Sequence, residues 1–407
     1  MDDPHHDPHT LQVHASIAAV PAGRWREMLQ TSNPFVDHAF LRILEDERCL
    51  GAGTGWSPRV LVASRGDRVD GALVLFVKGH SMGEFVYDWQ WAEFSERNGV
   101  PYYPKLVSCS PYSPVGGPRL LVGPELEGAA AAGVRSALVR EARRLSEQAS
   151  GLHVLFHPED ESGLWADDGL YPRLGWQYHW HNRGYVTFED FLGDMKARRR
   201  KEVRRERRLL AEQGYTVRAV RGAELTREDV TWLYGFYRST CDRYPWGRAY
   251  LTEPVFHRLV EELPERVVAF LAYGPEGGAP VAGSFCLFDE TTLYGRYWGA
   301  REDVPFLHFE ACLYAPIAWC IERGLSVFEP GAGGEHKYAR GFQPVFTVSH
   351  HRLRHPGVDA AIRDFCDREA QRVRELVAEL SERSCLHEEA RRGAGGGVGV
   401  AADLSRL

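Results

Sequence analysis

The chain repeats itself, and that repetition constrains the fold more than any other feature of its 407 residues. GLHVLFHPED at 151–160 is answered by GLSVFEPGAG at 324–333, each following a helix-like stretch, SALVREARRLSEQAS and APIAWCIERG respectively. YPRLGWQ at 171–177 is matched by KYARGFQ at 337–343, both aromatic and polar turns that lead into an alternating strand. Upstream, RVLVASRGDRVDGALVLFVKG at 59–79 pairs with RVVAFLAYGPEGGAPVAGSFCLFDE at 266–290, and EFVYDWQWA at 84–92 with TLYGRYWGA at 292–300. Each copy reads strand, tight Gly/Asp turn, strand, strand, helix, strand. A repeat of about 160 residues is far longer than solenoid periods and means domain duplication.

The expected organisation follows. Residues 1–24 read as a His- and Pro-containing tail expected to be disordered, 25–185 as the first copy and 186–355 as the second. Residues 356–392 read as a C-terminal amphipathic helix, with Ile362, Phe365, Val373, Leu376, Val377 and Leu380 on one stripe. The Gly-rich residues 393–407 are expected to be disordered. The fold class is α+β: two tandem domains with mainly antiparallel mixed sheets flanked by helices.

Composition excludes several function classes. Hydrophobic residues make up 44% of the chain, enough for a sizeable core. No run of about 18 apolar residues is present to span a bilayer. The start, MDDPHHDPHTLQVH, lacks the basic and apolar regions of a signal peptide, so a cytoplasmic location without integral membrane contact is expected. Eight cysteines without a CxxC pair fit a reducing compartment. A net charge of -7 argues against a general nucleic-acid coat, so polyanion binding requires a local patch.

One such patch exists. KARRRKEVRRERR, residues 196–208, holds nine basic and two acidic residues in a helix-forming composition with a thin apolar stripe of Met195, Val203 and Leu210. FEDFLGDM before it can supply the helix start. Two acids are too few for pairing within the run, and arginine, suited to phosphate, outnumbers lysine. Arg199, Arg200, Arg204, Arg205 and Arg208 are therefore candidate tRNA or phosphate contacts; the alternative is a solvated helix face.

These stretches carry a resemblance. A hairpin, a third strand, a helix and a further strand resemble the GNAT acyltransferase domain, and two in tandem resemble the Fem-type aminoacyl transferases of peptidoglycan branching. NPFVDHAFL, PYSPVGGPRLL, the basic helix, YGRYWG, VPFLHFE and EPGAGGEHKYARGF are similar to a bacterial GNAT-like family labelled peptidoglycan biosynthesis or recognition. The resemblance implies transfer of an aminoacyl group from aminoacyl-tRNA to an amine, on a peptidoglycan precursor or a small molecule. A non-catalytic binder of RNA or of a phosphate ligand is the alternative from outside enzymes, and acyl-CoA is the alternative donor. The glycine loop that holds its pyrophosphate at a helix N-terminus in such domains has no counterpart here, and no tightly bound cofactor is expected.

Candidate site residues gather in the second copy. EPGAGG leaves a buried-type strand through a flexible turn where backbone amides can approach an anion, making Gly333 and Gly334 candidate binding positions. KYARGF matches a Fem-like K-x-x-x-G-F pattern, whose lysine the resemblance associates with acceptor phosphates or the reacting centre. This places Lys337 as catalytic and Arg340 as a second donor, while the first copy has GLYPRLGW there. Amide formation needs a base, and Glu335, His336, His308 and Glu310 are candidates. Arg296, Tyr297 and Trp298 are candidate acceptor contacts, although such aromatics also serve as core.

Two other motifs carry less. GHSMG at 79–83 fits the nucleophile elbow of α/β-hydrolases, but a helix must follow it, and the aromatic EFVYDWQWA reads as a strand. HHDPH, His179 with His181, and His350 with His351 and His355 lack a third ligand at metal-binding spacing, so no metal is expected.

Overall fold

Strand signals set the architecture of both halves. In the computed structural model, which describes residues 9–243 and 247–388, the chain forms two compact units: Met1–Gly175 with Thr347–Val373, and Trp176–Phe346 with Arg374–Leu407. The first unit begins with β1 (Thr10–His14), β2 (Trp56–Arg65), β3 (Arg68–Lys78), β4 (Lys105–Ser108), β5 (Leu120–Val122) and β6 (Gly151–Leu155). β2 and β3 form a hairpin closed by Gly66 and Asp67, with Gly66 at φ 61°, where a side chain would strain the turn. β1 to β4 pair antiparallel in order, β5 adds to β3, and β4 runs parallel to β6. The crossover helix Gly128–Ser146 buries Val134, Leu138 and Ala142 against Leu61, Leu73 and Leu152.

β7 (Tyr171–His181) follows β6 in sequence, yet its later part belongs to the second unit, where Trp180 and His181 pair antiparallel with Phe328 and Val327. That unit continues with β8 (Thr216–Arg221), β9 (Val267–Tyr273), β10 (Ala282–Phe288), β11 (Thr292–Ala300) and β12 (Val327–Glu329). β8 to β11 are antiparallel and β11 is parallel to β12, repeating the order of the first unit. β13 (Gln343–Leu353) returns to the first unit, where Ser349–Leu353 pair antiparallel with β6. The crossover helix Ala315–Arg323 buries Ile317, Cys320 and Ile321 beside Phe270, Leu293 and Phe328, and stops at Gly324 in the left-handed region.

Several expectations are corrected. The cuts at 185/186 and 355 do not match the compact units, because the last strand encoded by each copy is hydrogen-bonded in the other unit. The expected tail 1–24 holds β1, which pairs with Val60–Ser64, and the fully buried Ile17. EFVYDWQWA is not a strand: a loop ending at Asp88 leads into helix Trp89–Arg97, whose buried face is Trp91, Ala92 and Ser95. The positions equivalent to TLYGRYWGA are filled by the short β4 and β5. Ser81 of GHSMG is buried, accepting from Lys105 Nζ at 3.0 Å and sharing a 2.8 Å hydrogen bond with Tyr103. The C-terminal helix spans Pro356–Glu382, and residues 393–407 lie outside the described residues.

Candidate active site in the second unit

The site arises where two parallel strands part. β11 and β12 pair only from Thr292–Val327 to Tyr294–Glu329, after which Pro330, with no N–H to donate, turns the chain away. β11 runs on, and its register against β10 shifts: Cys286 faces Gly295 while Phe285 faces Tyr297. Arg296 is the extra residue of this bulge, a device that re-aims a side chain. The space between the diverging strands is a pocket of about 300 Å³, lined among others by Arg296, Tyr297, Trp298, His308, His336 and Lys337. Gly334 also lines it, and so do Ser284, Cys286 and Cys312, which sequence reading missed. Alternation along β10 puts Ser284 and Cys286 on one face, a signal that was available but carried no motif.

The turn bearing Lys337 rests on glycine. Gly334, at φ 89°, precedes the single helical turn Glu335–Tyr338, and a Cβ there would meet the His336 ring at 2.8 Å. Lys337 is 6% exposed, and its Nζ donates to the carbonyls of Gly331 at 2.8 Å and Ala332 at 3.3 Å. At these two residues the loop thus offers carbonyls to the ammonium, where amides facing an anion were expected. Burial, and then the Arg296 guanidinium, push the Lys337 ammonium down to about 8. Arg296 donates to the backbone carbonyls of Gly295 at 2.7 Å and Glu329 at 3.2 Å, and pairs with Glu329 Oε2 at 3.3 Å. Burial raises the Glu329 carboxyl to about 7, with Arg296 opposing the shift.

The two histidines meet across the pocket. The His308 ring lies 5.3 Å from that of His336 and 5.3 Å from that of Trp298. Burial, reinforced by His336, Lys337 and Arg340, lowers His308 to about 4, so it is neutral at pH 7. His336 is lowered by burial and by Lys337, and its buried Nε2 has no hydrogen-bond partner among the described residues. Burial pushes the Cys286 thiol up to about 12 and Cys312 well above its ordinary value, which keeps both unreactive. None of the lining residues among those described is acidic.

Other candidates lie apart from this pocket. Residues 307–314 are helical, not extended, so His308 and Glu310 diverge; Glu310 takes a two-pronged hydrogen bond from Arg207, at 2.9 Å from Nε and 2.8 Å from Nη2. Glu335 and Gly333 are exposed. Arg340 is buried and already committed: it donates to Glu206 Oε1 at 2.7 Å, to Tyr314 Oη at 2.8 Å and to the His336 carbonyl at 3.0 Å.

The basic run forms helix Ala197–Glu212, with Val203 and Leu210 buried; FEDFLG is a separate helix, Phe188–Gly193. Its arginines find acids outside the run as well as within it: Arg199 pairs with Glu202, Arg204 with Glu189 and Arg208 with Glu212. Arg200 donates to the Gly193 carbonyl at 3.3 Å. Among the described residues, Arg198, Lys201 and Arg205 have no acidic partner and are exposed. A second pocket, of about 410 Å³, is lined by Arg204, Arg207 and Arg208 with Glu189, Glu310 and apolar side chains.

No curated protein matches the chain significantly. Among solved structures, FemX is similar at 11% identity and a TM-score of 0.51, over 87% of this chain and 100% of that one. The C-terminal DUF2156 domain of a putative lysylphosphatidylglycerol synthetase from Agrobacterium fabrum is similar at 11% identity and a TM-score of 0.50, over 88% of this chain and 97% of that one. A tandem GNAT protein from the clavulanic acid biosynthesis pathway reaches a TM-score of 0.44 at 12% identity, over 85% of this chain and 99% of that one. Such identities speak to fold, the mixed α/β architecture shared with FemX and the DUF2156 domain, and among the described residues no helix is long and apolar enough to cross a membrane. Residues 16–388 match the FemAB-like family, described as peptidoglycan biosynthesis/recognition, and the chain belongs to that family.

Proposed function

We propose that the protein is an N-acyltransferase that moves an aminoacyl group from aminoacyl-tRNA to an amine, on a peptidoglycan precursor or a specialised metabolite. The observation that carries this reading is the convergence of Lys337, His336, His308 and Arg296 on one pocket with no acidic lining residue among those described. Family membership and fold support acyl transfer.

The chemistry asks three things of such a pocket. The attacking amine must be neutral, the carbonyl oxygen must be stabilised as it becomes an oxyanion, and the leaving ribose oxygen must gain a proton. Lys337, with a value of about 8, is charged at pH 7 and stands near enough to neutrality to give up a proton. It would balance the oxyanion and protonate the leaving oxygen. His336, with a free Nε2, would take the proton from the amine as the C–N bond forms and the ester C–O bond breaks. Exchange with water restores both residues. Tyr297 and Trp298 would give the acceptor an aromatic wall to pack on. The donor's phosphates are assigned to the exposed face of the basic helix, where Arg198, Lys201 and Arg205 stand beside Arg199, Arg200, Arg204 and Arg208, and no tightly bound cofactor is required.

Binding of total aminoacylated tRNA across a salt series, with acetyl-CoA in parallel, tests the donor. The variant with Arg199, Arg200, Arg204 and Arg205 changed to alanine should bind tRNA more weakly and flatten the log–log salt slope by roughly three. If tRNA fails to bind while the CoA thioester does, the donor assignment falls.

A further inference from the structure

One acidic side chain faces inward from the most basic helix of the chain. Glu206 lies on the same stripe as Val203 and Leu210 and is 6% exposed. Its Oε1 receives Arg340 Nη2 at 2.7 Å, and its Oε2 accepts from the Tyr314 hydroxyl. Arg340 Nε donates to the same hydroxyl at 2.8 Å, closing a triangle of Glu206, Tyr314 and Arg340. The guanidinium carbon lies over Phe309, 3.4 Å from the ring centroid, and its remaining branch donates to the carbonyl of His336 at 3.0 Å. That carbonyl belongs to the helical turn that carries His336 and Lys337 into the pocket. Next to Glu206, Arg207 grips Glu310 on the segment that carries His308 and Cys312.

Two consecutive residues of the basic helix therefore reach both segments that carry the pocket's histidines, Glu206 through Arg340 and Arg207 through Glu310. A single turn of four residues has almost no stability of its own, since helix nucleation is unfavourable. Three of its four residues are polar, and its N-terminal flank is glycine on two consecutive positions, Gly333 and Gly334. At its end the turn is held by Tyr338, whose hydroxyl donates to the Leu380 carbonyl at 2.8 Å and whose carbonyl accepts from the Cys385 thiol; at His336 it is held by the cap that Arg340 places on the carbonyl, and Arg340 is in turn held by Glu206. A buried guanidinium needs a counter-charge to remain where it is.

We infer that Glu206 is a positioning residue of the reactive pocket, acting through Arg340 to hold the 335–338 turn and so to keep Lys337 buried against Arg296. The catalytic meaning rests on the function proposed above; the geometric part does not. It reassigns Arg340, expected from sequence to bind substrate, to a structural brace. It also gives the basic helix a second role: its outward face is available to a polyanion while its inward face sets the geometry at the pocket.

The test needs no substrate. The rate at which a small amine-reactive reagent labels Lys337, followed by peptide mass spectrometry from pH 6 to 11, reports the titration of that amine. In the wild type the midpoint should fall near 8, where burial and Arg296 hold it. In Glu206→Ala the turn is released toward water, and the midpoint should climb toward the ordinary lysine value, slowing labelling at pH 8 by roughly ten- to a hundredfold. Glu206→Gln, which keeps shape and one acceptor, should fall between. Tyr314→Phe removes one vertex of the triangle and should shift the midpoint in the same direction by less. A folded Glu206→Ala with the wild-type midpoint overturns the inference. Should that variant fail to fold, an unchanged midpoint in both Glu206→Gln and Tyr314→Phe overturns it equally. If the midpoint moves as expected and no aminoacyl acceptor is ever turned over, the positioning role stands and the proposed reaction is what fails.

Discussion

Lys337→Met should make the protein more stable while removing its reactive amine. The side chain is almost fully buried, and its ammonium is pushed down to about 8 by burial and by Arg296. Relative to an ordinary lysine near 10.4, holding it charged at pH 7 costs roughly 3 kcal/mol. Methionine keeps the apolar stem and fills the same gap. Against the gain, the carbonyls of Gly331 and Ala332 lose their donor, about 1 kcal/mol each at most, because both can turn to water in the open pocket. The net expectation is a stabilisation of about 1–2 kcal/mol, or roughly 3–6 °C in Tm for a unit of this size. The pH dependence fixes the cause. A lysine whose folded value is lowered penalises the native state fully below about 8, and the penalty vanishes above the unfolded value near 10.4, where both states are neutral. The advantage of Lys337→Met should thus be complete at pH 7 and gone by pH 10.5, where the cost of the lost donor to Gly331 and Ala332 is what is left. Scanning calorimetry of both proteins across this range reads the difference directly. A variant less stable than wild type at pH 7, or an advantage that does not shrink by pH 10.5, refutes the assignment of strain to the buried ammonium.

Two further predictions concern the first unit. Lys105 is completely buried, bonded to Ser81, Glu84 and Asp88, and although burial pushes the Asp88 carboxyl up, Lys105 holds it well below its usual range. Lys105→Met should cost about 3–5 kcal/mol at pH 7 by leaving the buried Asp88 carboxylate without its lysine and Glu84 with only Lys78, at 3.6 Å. Protonation then relieves them, so denaturant melts should show a smaller deficit at pH 5 than at pH 7, and an equal deficit contradicts the account. His153 and His350 are lowered to about 3 and His157 to about 4, chiefly by burial. Their lowered folded values make the unfolded chain the better proton acceptor, so stability should fall as pH drops from about 6.5 toward 4, by up to about 1.4 kcal/mol per pH unit for each histidine. His350→Gln should flatten that slope in melts taken between these pH values.

Much of this site was legible because its residues are contiguous. KYARGF and YGRYWG each occupy one short stretch, and the structure brings Lys337, His336, Arg296, Tyr297 and Trp298 to one pocket with His308. The hairpins at 59–79 and 266–290 were equally plain, since a Gly-containing turn between β-branched runs is a local signal. What escaped is non-local. The exchange of β7 and β13 between units depends on which sheet edge each strand finds, and neither strand's alternation encodes that choice. EFVYDWQWA reads as a strand by composition, but Asp88 is bonded to buried Lys105 and Tyr102, and the aromatic run turns helical behind it. Glu206 was invisible within a run read as basic, though its spacing from Val203 and Leu210 puts it on the apolar stripe. Glu310 would share a face with His308 on a strand but not on the helix that forms here.

The measurement that bears most directly on the central claim is a single-turnover transfer assay. Aminoacyl-tRNA carrying a labelled amino acid is mixed with excess enzyme and an amine-bearing peptidoglycan precursor, or a pool of small amines, and amide product is followed over time. The account predicts acid-stable labelled amide with wild type, and at least a hundredfold less with Lys337→Met despite its higher melting temperature and unchanged tRNA binding. Product formed by Lys337→Met at the wild-type rate would contradict it.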